Sequence, residues 1–413
     1  AGIAAAVAAG RLGAKVVLVE QSGYLGGLGT AGLVPCFCPF TDGEKPVARG
    51  VGEEVLGEMA RRMGMPIEEW MPIHPETLKS IYDDVVSASG AVMRLYSKVV
   101  EVRGRDRIEA VIISTHKGLK AVKGRVFVDA TGDGSVAAWA GAPFEVGGAT
   151  GETQSSTLCF GFSGIDWAEY DAHRPPSGLR PDRIIWQEQF AKGMTPLMER
   201  HLTTGILRNG GDSAGLNVGH VYGVDGLDEE SLTRGTVEGR RGVWQYLDWY
   251  RKNVPGCGAI DLAVTAATLG VRETRRITGE YVLSYADYLS RAGFDDEIGR
   301  CAYPIDVHSS TPEGMEETQK QFENTAYAPG ESYGIPYRSL IPKGIENLIV
   351  AGRCISSDRA MQGSVRVMPY CFVTGQAAGV AASLASADCG GSARGVDIER
   401  LRGILREQGA FLP

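Results

Sequence analysis

GIAAAVAAGRLGAKVVLVE, residues 2–20, joins a run of small apolar side chains at helical spacing to a β-branched run, Lys15 to Glu20, that closes on an acid. The order is helix, then strand. In a dinucleotide-binding unit the third glycine of a G-x-G-x-x-G turn opens such a helix and lets it pack tightly on the sheet. An acid about 20 residues further on accepts a hydrogen bond from a ribose 2′-hydroxyl. Gly2 and Glu20 suit those two places, with Gln21 beside the acid. On this reading a first strand and the first two motif glycines precede Ala1. An ordinary α/β unit gives the same local pattern, so other segments must discriminate.

The next segment, SGYLGGLGTAG from Ser22 to Gly32, is a flexible connector or a phosphate cradle, in which Gly26 and Gly27 let backbone amides approach a pyrophosphate. Helical patterns follow at 51–63 and 75–89. Strand-like runs at 92–102, 108–114 and 118–128 predict a small antiparallel sheet feeding a last parallel strand, RVFVDATGDG, that ends at Asp129 to Gly134. From about 142 to 330 the texture shifts to Pro, Trp, Tyr and interrupted segments, with helices expected at 183–200 and 229–252. IENLIVAGR then reads as a buried strand ending at Gly352, and a final amphipathic helix is expected at 397–408. Between them, 367–387 carries no charge and is long enough for a membrane span. Gly, Ala, Ser, Thr and Gln376 dominate it, so a buried helix is expected. The fold class is α/β: a Rossmann-like domain (parallel sheet with a small antiparallel meander) from 1–141 and 331–413, interrupted by an α+β substrate domain from 142–330.

The chain has 413 residues, 43% hydrophobic and 22% charged, which is globular composition with room for more than one domain. Its net charge of -8, with no basic tract, argues against a nucleic-acid groove and for small-molecule partners. Eight cysteines, mostly single and within apolar text, predict reduced thiols and a cytoplasmic location, and no leader peptide is read at Ala1 to Gly10. The 56 glycines are about twice the usual ~7% and imply many close backbone approaches.

Three separated segments together resemble the two-part FAD-dependent flavoprotein superfamily that includes glutathione reductase and fumarate reductase. They are GIAAAVAAGRLGAKVVLVEQ with its GGLGTAG loop, VDATGDG, and NLIVAGRCISSDRAMQGSVRVMPYCFVTGQAAGVAA. More narrowly, GVRETRRITGEYVL and IPYRSLIPKGIENLIVAGRCIS look like a bacterial FAD-dependent oxidoreductase family whose members are mostly of unassigned substrate. The resemblance implies FAD as cofactor, an enzyme, and a flavin at the junction of two domains. Ala130, Thr131, Gly132 and Asp133 then close a strand end that admits the ADP half, and Asp133 is placed to cap the following helix. Gly352 ends another strand, and Gly363, Ser364 and Val365 lead into the uncharged helix. The N-terminal dipole of that helix would favour the charge that builds on a reduced flavin. Related flavoproteins carry an acid after the strand-ending glycine; here it is Arg353, with Asp358 as the candidate substitute. With no histidine in these segments, non-covalent FAD is expected.

Flavin enzymes need a substrate clamp and a proton donor or acceptor, because the cofactor takes the hydride. Arg272, Arg275 and Arg276 recur at i, i+3 and i+4 and, if helical, share a face suited to a carboxylate; the alternative is a solvated face paired with Glu273 and Glu280. Arg366 lies at the entrance of the flavin-facing helix. His308 is the candidate acid or base, with Asp306 or Tyr337 as partner, and His220 is a weaker candidate of the same kind. Cys36 and Cys38 have the wrong spacing for a redox pair, and no metal set is expected. A non-catalytic flavin or nucleotide binder and a flavoprotein acting on RNA are the rival readings.

Overall fold

The computed structural model describes residues 1–196, 199, 202 and 204–413. Helix α1 (Gly2–Arg11) leads into strand β1 (Val17–Val19), and helices α2 (Val51–Met63) and α3 (Pro75–Ala88) precede β2 (Val92–Arg94), which pairs in parallel with β1 in the register Val17 to Val92. Strands β3 (Lys98–Arg103), β4 (Ala110–Thr115) and β5 (Gly118–Val122) form the antiparallel meander. The run expected as one strand over 92–102 is two, because Tyr96 takes a left-handed turn (φ 53) and the next amides bond back to the β1 loop, Tyr96 to Ser22 O and Ser97 to Glu20 O. The chain changes sheets there. The run over 118–128 likewise divides into β5 and β6 (Phe127–Asp129).

Helix α4 (Ser135–Ala140) and strands β7 (Phe144–Val146), β8 (Ser156–Thr157) and β9 (Phe160–Ser163) lead to short helices α5 (Trp167–Ala172) and α6 (Pro181–Phe190). The helix expected over 183–200 therefore ends early, at Phe190, where the chain turns through Gly193 at φ +69; Arg200 lies outside the described residues. Strands β10 (Leu207–Gly210) and β11 (Ser213–Leu216), with β9 and the later strand β13 (Asp261–Thr265), make a four-stranded antiparallel sheet in the order β10-β11-β9-β13. After β12 (His220–Val221), helix α7 (Glu229–Asn253) lies against this part of the molecule. Asp228 accepts the Ser231 amide at 2.8 Å, Glu229 and Glu230 fill the first turn and Arg251 and Lys252 the last, so both helix ends are matched to the dipole. Strands β13 (Asp261–Thr265) and β14 (Arg275–Ile277), helix α8 (Tyr285–Ser290), β15 (Glu297–Cys301), α9 (Met315–Glu323) and β16 (Tyr333–Pro336) follow. The last elements are β17 (Leu348–Val350), α10 (Arg359–Val365), α11 (Met368–Asp388) and α12 (Ile398–Glu407). Strand β17 pairs in parallel with β6, bringing residues 348–350 beside 127–129.

Two apolar cores result. One draws on residues 3–142 and 277–405; the other on 158–271, including fully buried Trp186, Tyr246 and Tyr250. The segment 142–330 thus divides its side chains between the two cores.

The uncharged stretch is the buried helix α11, packed along α1. Gly375 and Gly379 explain how closely: a Cβ on either would run into the backbone carbonyl of Ala1 or of Ala5. Two helices of alanine and glycine meet there backbone to backbone. The buried amide of Gln376 is satisfied, its oxygen accepting the Val51 N–H at 3.0 Å and its nitrogen donating to Gln408 O at 3.2 Å. No single helix among the described residues is both long and apolar enough to cross a membrane; α10 and α11 meet both conditions only together, and that pair is bent by 93°.

Candidate functional site at the strand ends and between the cores

The carboxyl ends of β1, β6 and β17 converge with the start of α1 and the first turn of α11. A Cβ on Gly2 would sit 3.3 Å from the Ala130 Cβ, and one on Gly352 (φ +90) would sit 3.0 Å from the Ala1 Cβ and 3.8 Å from Cys371 Sγ. Small residues are required here by contact. The glycine-rich loop reaches the same place, since a Cβ on Gly29 would meet Met368 Sδ at 2.9 Å. Within that loop Gly26 and Gly27 take positive φ (115 and 55), and the Glu20 carboxylate accepts the Ser22 amide at 2.7 Å, leaving Gln21 exposed. Asp129, fully buried, accepts from Thr131 N (3.0 Å), Thr131 Oγ1 (2.7 Å) and Ala137 N (2.9 Å) and so shapes the turn that carries Ala130 and Gly132. Burial raises its pKa against those bonds.

Asp133 does not cap α4; the N-cap is Gly134 and has no side-chain bond. Asp133 instead pairs with Arg353 and accepts from Thr274 Oγ1 at 2.8 Å, while Arg353 also donates to Gly132 O at 2.6 Å and to Val271 O. The basic residue in the usual acid position is thereby tied to an acid on the neighbouring strand end. Asp358 caps α10 through the Met361 amide (2.8 Å) and takes the Tyr285 amide at 2.6 Å. Gly363 and Ser364 pack on 303–307, with Ser364 Oγ against Tyr303 O (2.5 Å) and Tyr333 Oη (2.8 Å), and Val365 is buried.

A second cluster lies where the two cores meet. Segment 271–274 is irregular and Arg275 to Ile277 is strand, so the three arginines do not share a helix face. Successive side chains diverge as an extended chain requires. Arg272 is buried and donates to Ser155 O (2.6 Å) and Thr157 Oγ1 (3.1 Å). Arg275 lies over the Phe144 ring and reaches Asp133 O at 3.3 Å. Arg276 is buried against Glu273, Glu145 and Gly147 O. Glu280 is elsewhere, paired with Arg394. Gln154 and Gln362 join the segments: Gln154 Nε2 donates to Gln362 Oε1 (2.8 Å), Gln362 Nε2 to Arg272 O (2.7 Å), and the His308 amide to Gln154 Oε1 (3.0 Å).

His308 sits at the centre of this cluster. Its Nε2 is 3.3 Å from Asp306 Oδ1, and its Nδ1 is 2.8 Å from Nε2 of His220. The Nδ1 of His220 lies 3.2 Å from Glu199 Oε1, which also accepts the His220 amide. Arg366 Nη2 donates to Asp306 O (2.7 Å) and approaches its Oδ2 (3.3 Å), while Arg366 Nε is buried with no hydrogen-bond partner among the described residues. Tyr337 is not a partner, since its hydroxyl donates to Ala393 O. Burial and then Arg272 push His308 down to about 3. Burial opposes the ionisation of Asp306, but His308, Arg366 and Arg272 outweigh it and hold the carboxyl well below the usual range. Glu199 is likewise lowered, hydrogen bonds from His220 and the backbone outweighing burial. Burial, followed by Arg366, pushes Arg272 down to about 10, so it stays charged at neutral pH.

Cys36 and Cys38 are free and lie on extended chain; burial pushes Cys36 up to about 12 and raises Cys38 as well, so neither is a ready thiolate. Among the described residues no group of three or more His, Cys, Asp or Glu side chains could hold a metal ion. The structure therefore brings together His308, Asp306, Arg366 and Arg272, sets Gly2, Ala130 and Gly352 at one strand-end junction, and separates Arg275 and Arg276 from the histidines. Sequence reasoning missed Glu199, for which no local signal exists, and the pairing of His220 with His308.

A family model described as FAD dependent oxidoreductase matches residues 1–405. No curated protein matches the chain by sequence. Among solved structures the chain is similar to a geranylgeranyl bacteriochlorophyll reductase-like protein from Thermoplasma acidophilum (12% identity, 98% of this chain and 80% of that one, TM-score 0.47). It is also similar to p-nitrophenol 4-monooxygenase PnpA from Pseudomonas putida DLL-E4 (9% identity, 99% and 78%, TM-score 0.41). A third likeness is to CabE, an aromatic hydroxylase from angucycline biosynthesis (10% identity, TM-score 0.42), where 98% of this chain spans 63% of that one.

Proposed function

The chain belongs to the family of FAD-dependent oxidoreductases, and from that premise we propose that it moves a hydride between flavin N5 and a small, carboxylate-bearing organic substrate. The strand-end junction fits FAD on its own chemistry. Gly2 and Gly352 sit where a side chain would close the approach, Gly26 and Gly27 hold positive φ next to Glu20, and Arg366 keeps a buried donor without a partner. FAD would be held by Gly2, Glu20, Gln21, Gly26 and Gly27 on one side. On the other side it would be held by Ala130, Thr131, Gly132, Asp133, Gly352 and Arg353, with Asp358 and the 363–365 turn supporting the start of α11. When bound, it supplies the hydride donor or acceptor.

The chain's own residues supply the rest. Arg366 is the clamp, because its unpartnered Nε lies beside Asp306 and His308, whereas Arg275 and Arg276, whose Nε atoms are also buried without a partner among the described residues, point to Asp133 O and to Glu273, and Arg272 is bonded to Ser155 O and Thr157. Arg272 contributes charge, and Arg275 lies toward Asp133 as an outer support. His308 gives or takes the proton at Nε2, beside Asp306 and therefore beside Arg366. The observation that carries this reading is the buried His308, Asp306 and Arg366 cluster between the two cores. The body formed by 1–141 and 331–413 would bind the flavin and 142–330 the substrate. Net charge -8 supports small-molecule partners over nucleic acid, and the eight free cysteines support a reducing, cytoplasmic location.

The test is an anaerobic screen of the yellow protein. A small carboxylate should bleach the flavin while its amide does not, and Arg366→Ala should raise the half-saturating carboxylate concentration at least about tenfold. Equal bleaching by acid and amide, or an unchanged Arg366→Ala titration, removes the carboxylate reading.

A further inference from the structure

The two histidines between the cores carry more than either does alone. Each of their four ring nitrogens has one contact: His220 Nδ1 with Glu199 (3.2 Å), His220 Nε2 with His308 Nδ1 (2.8 Å), and His308 Nε2 with Asp306 (3.3 Å). An ionised carboxylate only accepts, so the His220 nitrogen bonded to Glu199 bears hydrogen, and a bare lone pair on the His308 nitrogen 3.3 Å from Asp306 would be repelled, so that nitrogen bears one too. The central contact, at hydrogen-bond distance, needs one more, because two facing lone pairs would repel. That makes three N–H hydrogens, and two neutral imidazoles have two.

We infer that His220 and His308 are a single acid, holding one extra proton between Glu199 and Asp306 and delivering it to the substrate through His308 Nε2. The use of that proton rests on the proposed function; the proton count rests on the three contacts and on ionised carboxylates at both ends. Both carboxylates are held ionised by their partners, as the count requires. Arg272 lies on the His308 side and disfavours charge there, so the central hydrogen is placed on His220 Nε2, pointing at the His308 Nδ1 lone pair. The surrounding charges agree. Arg272 and Arg366 flank the Asp306 side, the Tyr222 ring lies against His220, and the Tyr246 hydroxyl faces Glu199. Two arginines and one extra proton against two carboxylates leave one positive charge, which favours an anionic substrate.

The transfer balances without a further reactant. His308 Nε2 gives its proton to the substrate while His220 Nε2 passes its own to His308 Nδ1, so the pair falls from one positive charge to none. His308 is then the Nδ1–H tautomer with a bare Nε2 against the Asp306 carboxylate. That arrangement is unfavourable and drives re-protonation from solvent or substrate. His308 is the catalytic group and His220 a positioning residue and proton store.

Nitrogen-15 NMR of the full-length, histidine-labelled holoprotein at pH 7 tests the count. The expected spectrum has one ring with both nitrogens protonated, assigned to His220 by its contact with Tyr222, and a neighbouring neutral ring protonated at Nε2. His308→Gln should return His220 to a neutral ring, and Glu199→Gln should do the same. Two neutral rings in the wild-type protein overturn the inference whether or not the variants fold, as does a His220 spectrum unchanged by His308→Gln. No flavin chemistry enters the readout. A protein that failed to bind FAD would defeat the proposed function with the proton count intact, and two neutral rings would do the reverse.

Discussion

Along the seam between α1 and α11 both surfaces are alanine and glycine, and glycines at 375 and 379 let one helix rest on the backbone of the other. Along the seam between the two cores, where 154–157 and 271–276 meet 303–308 and 359–366, the contacts are amides, arginines, carboxylates and imidazoles. The first seam is dry and is held by close packing, so its tolerance is set by volume. The second is polar and buried, so its tolerance is set by pairing. A residue can be deleted from the first at the cost of a small cavity. Deleted from the second, it strands a charge.

Predictions that sharpen this contrast begin with Arg276. Arg276→Leu leaves the fully buried Glu273 with Arg359 at 3.3 Å and the Gln154 amide at 3.1 Å as partners. A loss of about 3–5 kcal/mol is expected in urea unfolding. The double variant Glu273→Gln, Arg276→Met should recover at least half of it, and a double variant no better than the single one would break the pairing argument. On the dry seam, Gly379→Leu should destabilise by about 1–3 kcal/mol, because its side chain must displace the Ala5 carbonyl. Here no compensating charge change is expected to help, whereas Ala5→Gly, which removes a Cβ without moving the backbone, should not rescue it.

The smallest effect is in pH. The folded His308 ring resists protonation until about pH 3, whereas the unfolded ring binds a proton near pH 6.5. The unfolded state then holds more protons between those values, so stability falls as pH falls through that window. Asp306 and Glu199 act in the same direction lower down, since carboxyls depressed in the folded state lose their contribution below about pH 4. Stability should be about 1–2 kcal/mol lower at pH 5 than at pH 7, and His308→Gln should flatten that part of the curve. An equal slope in the variant would place the acid sensitivity elsewhere, with the dry seam contributing none.

Legibility in the sequence followed the same division. Helix α2 and the long helix α7 are within one residue of their expected spans, and α11 is the buried helix its composition implied. The first two are local patterns of period 3.6 with acids in the first turn and bases in the last, and the third is legible from its uncharged composition. The failures came where tertiary contacts override local preference. GVRETRR has helical arginine spacing but lies extended, because Arg276 and Ile277 pair with Glu145 and Phe144 on β7 and Glu273 is drawn into the interior. Asp133 has the form of a cap yet faces Arg353, 220 residues away in the chain.

Period, composition and glycine placement were enough for the α/β class, because each depends on neighbours within a turn or a strand, whereas the family came from the resemblance of three separated segments. The proton path was not written at that range. His220 and His308 are 88 residues apart, and His220 and Glu199 are 21 apart across irregular chain. Their meeting depends on how the second core closes against the first, and a ring nitrogen has a partner, and hence a proton, only once that closure has set the distance.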